Sequence, residues 1–182
     1  MDNRLIVYLP YMNSNDPDEI ALFEKCIVFL NDIGIQTLFR EIEPGSFLPG
    51  LSIEEGSIVV DVEQLKYPGD ILHEAGHIAV VPASQRHGLS ATSIINRTNR
   101  EAEEMMAIAW SYAVCIHLRI DPYFVFHTEG YKDGGDFIIG SCENNSYFGL
   151  SMLQEIGMTA DEKKARKLHI SSYPNMIKWL RN

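Results

Sequence analysis

The sequence predicts an α+β fold: a small N-terminal sheet with one helix, followed by a mostly helical part. Three observations carry this. Short apolar runs of strand length lie at 4–9, 35–42 and 57–62. Between the first two, residues 18–33 show a helical apolar stripe. From Asp70 onward, longer apolar-periodic segments are framed by capping residues and prolines.

Arg4–Leu9 reads as a first strand ended by Pro10, with a polar cap region at 13–18. Ile20, Leu22, Phe23, Cys26, Ile27, Phe29 and Leu30 then form one helical face, and Gly34 stands where a C-terminal glycine stops a helix. Residues 35–42 make a second strand, 44–56 a Pro- and Gly-rich loop, and 57–62 a short buried strand. Asp70 is a good N-cap for a helix that Pro82 must end. Thr98-Asn99-Arg100-Glu101 fits the capping-box pattern and opens a helix to about Arg119. Residues 130–140 read as a loop, 150–156 as a short helix, and 161–180 as a helix in two pieces broken near Pro174. No repeat, low-complexity tract or domain boundary is visible, so residues 1–182 read as one domain.

The formal net charge of −10 argues against a nucleic-acid surface, which needs clustered Lys and Arg. The N-terminus has no basic n-region and its apolar run is too short for a signal peptide. The longest apolar stretch, 105–118, is interrupted by Ser111, Tyr112 and His117 and falls short of a membrane span. Three widely spaced cysteines, Cys26, Cys115 and Cys142, with no C-x-x-C, point to reduced, buried thiols and a cytoplasmic setting.

Chemistry concentrates in His73-Glu74-Ala75-Gly76-His77, an instance of H-E-x-x-H. Residues four apart on a helix share a face, with Cβ atoms roughly 5–6 Å apart, so His73 and His77 can grip one metal ion. Glu74 then projects beside the metal, where its carboxylate can take a proton from an activated water. Small residues inside the motif and apolar flanks, Ile71-Leu72 and Ile78-Ala79, suit a buried helix. Two incidental histidines would leave Glu74 a buried carboxylate without a metal partner, which is costly. Zinc is the default ion for such a pair.

A catalytic zinc site takes three protein ligands. Val80 and Ala83 stand where a metzincin has Gly and His, so that continuation is excluded. The third ligand is sought on the next helix, among Glu101, Glu103 and Glu104. Glu101 is expected to serve the capping box. Glu104 is preferred over Glu103, because it shares a face with Ala107, Ile108 and Ser111, small enough in part to let two helices close on one metal. His87, His117, His127 and Asp136 are weaker rivals: His87 reads as a surface residue and His117 as a core histidine. His127 and Tyr131, beside the Gly-rich loop, are candidate proton donors or oxyanion stabilisers. Asp61, at a strand end, is a further candidate to support the histidines.

These residues make the chain resemble a zincin metallopeptidase of the gluzincin type, which pairs H-E-x-x-H on one helix with a Glu on the next. The match covers His73, Glu74, His77 and a Glu in 103–104. The flanking 67–70 and 104–112 segments also resemble a group of small, uncharacterised bacterial HEAGH proteins, a resemblance that brings no substrate. The gluzincin likeness implies hydrolysis of a peptide or small amide, with Glu74 as base. One departure is that no N-E-x-x-S-D pattern accompanies the Glu. A different class of reading is a metal-bearing regulatory or interaction module with little or no hydrolytic activity. Retention of Glu74 favours catalysis, because a purely structural site needs no base.

Overall fold

The computed structural model describes residues 16–43, 48–130 and 134–182. Within them an α+β architecture stands as expected: a three-stranded sheet near the N-terminus, then a mostly helical region. The anticipated first strand, 4–9, lies outside the described residues.

Helix α1 (Pro17–Asp32) begins where Asp16 accepts a hydrogen bond from the Asp18 N–H at 2.9 Å, and Pro17 occupies a first-turn position that needs no donor. It buries Phe23, Cys26, Ile27, Phe29 and Leu30. Gly34, at φ +95°, takes the left-handed turn that leads out of the helix. Strand β1 (Thr37–Phe39) is shorter than the 35–42 expectation. It pairs in parallel with β3 (Ser57–Val60), and β2 (Leu51–Glu54) pairs antiparallel on the other side of β3, giving the order β1-β3-β2.

Strand β2 corrects the reading of 44–56 as a loop. Leu51 and Ile53 are buried and alternate with half-buried Ser52 and Glu54, a period of two inside a Pro- and Gly-rich stretch. The β2–β3 hairpin closes through Glu55 and Gly56, both at positive φ (48° and 72°), the pattern of a two-residue turn whose twist suits antiparallel strands. Beyond β3, the buried Asp61 carboxylate accepts hydrogen bonds from the N–H groups of Ile42 and Glu63 and from the Gln64 side chain. Desolvation alone would raise its pKa, but these donors hold it below the usual range. Asp61 therefore organises the strand end, and its hydrogen bonds give the histidines no support.

The helical part consists of α2 (Asp70–Ala79), α3 (Ala83–Arg86), α4 (Ala91–Ile95), α5 (Arg100–Leu118), α6 (Gly135–Glu143), α7 (Leu150–Glu155) and α8 (Glu162–Leu168). Several boundaries differ from expectation. The cap position of α2 is Gly69, and Asp70 is the first helical residue with its side chain engaged elsewhere. No capping box forms at 98–101: Asn99 precedes α5 without a side-chain cap and Glu101 is exposed. A capping box does form at Ser90–Ser93, where a second serine does the work expected of Glu. Helix α6 starts inside the anticipated 130–140 loop.

The C-terminus is helical only in α8. After a left-handed residue at His169, the chain runs as an irregular strap. Its backbone is nevertheless paired. Tyr173 N–H donates to Ala160 O at 2.8 Å, Ile177 N–H to Met158 O at 2.8 Å, and Arg181 N–H to Ala79 O at 2.9 Å. Helix α5 fastens the same strap from both sides: its Trp110 Nε1 donates to Trp179 O at 2.9 Å, and the Tyr173 hydroxyl of the strap donates to Ala109 O at 2.9 Å.

Helices α2 and α5 form the centre of the helical part, with Trp110, Ile71, Leu72 and Ile78 fully buried. Ser111 Oγ donates to Ala107 O at 2.7 Å and lies 3.2 Å from Leu72 O. A Cβ on Gly76 would meet Ala107 Cα and O at 3.0 Å. The pairs 72–111 and 76–107 run in opposite directions, so the helices are antiparallel. Continuing that register places Glu104 beside the last turn of α2.

Gly76→Ala should gain about 1 kcal/mol of helix propensity and lose more, about 1–3 kcal/mol, to overpacking against an α5 backbone that has little room to yield. A lowered melting temperature of metal-free protein is the expected result. An unchanged or raised one would show that the helix contact is looser than described.

Candidate metal centre

His73 and His77 lie one turn apart on α2, on the side facing α5. Their Nε2 atoms are 3.2 Å apart. Glu104 reaches across from the first turns of α5, with Oε1 3.4 Å from His73 Nε2 and Oε2 3.4 Å from His77 Nε2. The histidine side chains are 14% and 11% exposed and the glutamate 39%, so the group opens to solvent on the α5 side. Among the described residues, these three form a group that can hold a metal ion.

The electrostatics suit that use. Burial pushes His73 down to about 4, and burial together with the neighbouring His73 takes His77 to about 4 as well. Both imidazoles are therefore neutral at pH 7, the protonation state in which an imidazole nitrogen can ligate a metal. Glu74, the residue between them, is pushed up to about 8 by desolvation and by the charges of Asp70 and Glu104. Without a cation nearby this carboxyl holds its proton at neutral pH. A dication beside it would reverse the balance.

Glu103 is occupied differently. It is buried and takes a two-pronged grip from Arg97: Nε to Oε2 at 2.5 Å and Nη2 to Oε1 at 2.8 Å. Arg97 Nη2 also donates to Gln85 Oε1 at 2.9 Å. Of the two glutamates weighed as third ligand, the structure brings Glu104 to the histidines and binds Glu103 to an arginine.

His127 is brought to α2 as well, at its N-terminal end. Gly130 N–H donates to His127 Nδ1 at 3.1 Å, so the proton sits on Nε2, which donates to Asp70 Oδ1 at 2.9 Å. Tyr67 stacks on the ring with centroids 4.1 Å apart. Burial raises the Asp70 carboxyl, and the His127 hydrogen bond partly offsets that rise. With both nitrogens engaged, His127 holds the start of α2 and has no free N–H for a substrate oxygen. Tyr131 lies outside the described residues. His87 is exposed, as expected. His117 is also exposed, which corrects its reading as a core histidine; its ring packs against Phe29 and Trp179 at the surface. Asp136 is exposed beside the Tyr123 hydroxyl.

The sequence reading missed the Arg97–Glu103 grip and the Asp70–His127 pair. Both join residues across different elements, and the only hint was an acid in each first turn. Cys26, Cys115 and Cys142 are buried free thiols, and burial raises all three. No helix among the described residues is long and apolar enough to cross a membrane. Neither a protein-family model nor a curated protein nor a solved structure matches this chain.

The raised Glu74 has a consequence for metal-free protein. The folded state holds this proton up to about 8, whereas the unfolded chain releases it near 4.5. Stability from this group is complete below 4.5 and is lost as pH rises through 8. Glu74→Gln, neutral at every pH, should therefore melt higher than wild type at pH 8–9, with the gap closing toward pH 5. Melting curves of metal-free protein across that range test this, and a gap independent of pH would contradict it.

Proposed function

We propose that the protein is a zinc-dependent hydrolase of the zincin type, acting on a peptide or a small amide. The observation that carries this reading is the donor triangle of His73, His77 and Glu104, with edges of 3.2, 3.4 and 3.4 Å. A tetrahedral ion with bonds of roughly 2.0–2.1 Å keeps its donors about 3.3–3.4 Å apart. Two neutral imidazoles and one carboxylate form a three-ligand set that leaves a fourth position for water or substrate, and the 39% exposure of Glu104 supports access from solvent.

A zinc ion held there would lower the pKa of a water molecule to roughly 7 and polarise a carbonyl. The chain's own residues supply the remainder. His73 and His77 stay neutral and keep their lone pairs for the ion well below neutral pH. Glu74 lies on the same helix between them and is suited to accept a proton once a nearby cation favours its ionised form. The same carboxyl can return that proton to a leaving nitrogen. Asp70, paired with His127, keeps the first turn of α2 in place one turn before Glu74. A module that used the metal only for structure or binding would have no need of a base at position 74.

Metal analysis of the purified protein should find close to one zinc per chain, lost in His73→Ala, His77→Ala and Glu104→Ala. Glu74→Gln should retain the metal and lose hydrolysis of a fluorogenic peptide library. Protein with all three ligands intact that neither holds nor takes up a divalent ion would refute the metal reading. A Glu74→Gln variant as active as wild type would refute the assigned base.

A further inference from the structure

Resting on that metal reading, we infer that Arg97 is a positioning residue for the metal centre, acting through Glu103 on the ligand Glu104. The side chains of Glu103 and Glu104 leave α5 in neighbouring directions, about 100° apart on a helix of 3.6 residues per turn. One goes to the histidines. The other goes to the guanidinium of Arg97, which precedes the helix. The end of α5 that carries the ligand has no side-chain cap, and Asn99 leaves the first turn without that restraint. The two-pronged Arg97–Glu103 contact is the side-chain restraint that the structure gives this turn, and Gln85 ties the same guanidinium back to the segment that follows α2.

The chemistry of Glu103 makes the restraint matter for the metal. Its carboxylate is buried and stands immediately before the ligand Glu104 on α5. A fork from arginine neutralises its charge and fixes both oxygens in one plane, which a point charge cannot do. Without Arg97, Glu103 would be an unpaired buried carboxylate beside a metal ligand. It would have to move, and with it the turn that aims Glu104. Partners that orient ligating residues in this way typically alter metal affinity by roughly 10–100-fold.

The test uses full-length protein, with zinc affinity measured by competition against a chromophoric chelator. The visible spectrum is recorded at saturating Co(II), and the melting temperature is measured metal-free. Arg97→Gln should bind zinc roughly 10–100-fold more weakly and show an altered Co(II) spectrum even at saturation. Arg97→Lys, which restores the charge without the fork, should recover part of both. An Arg97→Gln variant equal to wild type in affinity and spectrum would overturn the proposal. So would a normal saturated spectrum with affinity and metal-free stability falling in parallel, and no recovery in Arg97→Lys. If Arg97→Gln does not fold, Gln85→Ala decides. It breaks only the outer contact of the guanidinium and should weaken zinc binding in the same direction, and an unchanged affinity would overturn the proposal. Wild-type protein that takes up no metal fails the metal reading itself. Tight binding indifferent to these variants fails this inference alone.

Discussion

The close approach of α2 and α5 is the constraint on which the rest of the structure depends. Gly76 has no side chain where Ala107 comes in, and Ser111 satisfies its hydroxyl against Ala107 O while resting near Leu72 O. Two larger residues at 76 and 107 would part the helices, and Glu104 would no longer span to both histidines. Fully buried apolar residues on both helices, Leu72 and Trp110 among them, exclude water behind the contact. That exclusion is also what keeps His73 and His77 neutral. Packing and ligand chemistry thus have one cause.

Several carboxylates are buried or half-buried, and each is accommodated differently. Asp61 collects backbone and amide donors that hold its carboxyl below the usual range. Glu103 takes an arginine fork. Asp70 takes the N–H of a histidine whose other nitrogen is already occupied. Glu74 has neither fork nor donor to lower its pKa, and it is driven upward by desolvation and then by the charges of Asp70 and Glu104. Contrasts of this kind separate carboxylates satisfied by their own partners from one left with a perturbed affinity for its proton. The first three surround the α2–α5 pair or the sheet beside it, and the fourth stands at the donor triangle.

Much of this was legible in the sequence because it is local. The H-E-x-x-H spacing, the α1 stripe and the preference for Glu104 over Glu103 all follow from helical periodicity. The failures share a cause as well. Asp70 has the composition of a cap, but its carboxylate is claimed by His127, 57 residues away in sequence. Thr98 and Glu101 have the spelling of a capping box, yet the turn before α5 is set by Arg97 reaching Glu103. Strand β2 alternates with period two, but its Pro and Gly neighbours masked the signal. The 169–182 strap carries apolar residues that suggested a helix. Its backbone instead pairs with Met158, Ala160 and Ala79, partners that no window of sequence contains. His117 stands on an apolar helix but in its last turn, where the ring finds aromatic company at the surface.

The two-helix origin of the donor triangle has a consequence for folding. A crosslink between α2 and the start of α5 closes a loop of roughly thirty residues, for which the entropy of closure is modest. Such a clasp would join neighbours in the chain and tighten the helical pair. It adds little to the distant pairings that hold the sheet or the C-terminal strap. Were an ion held there, its loss would be felt as local loosening around 73–104, with the hairpin and the Trp110–Trp179 fastening retaining their own cooperativity.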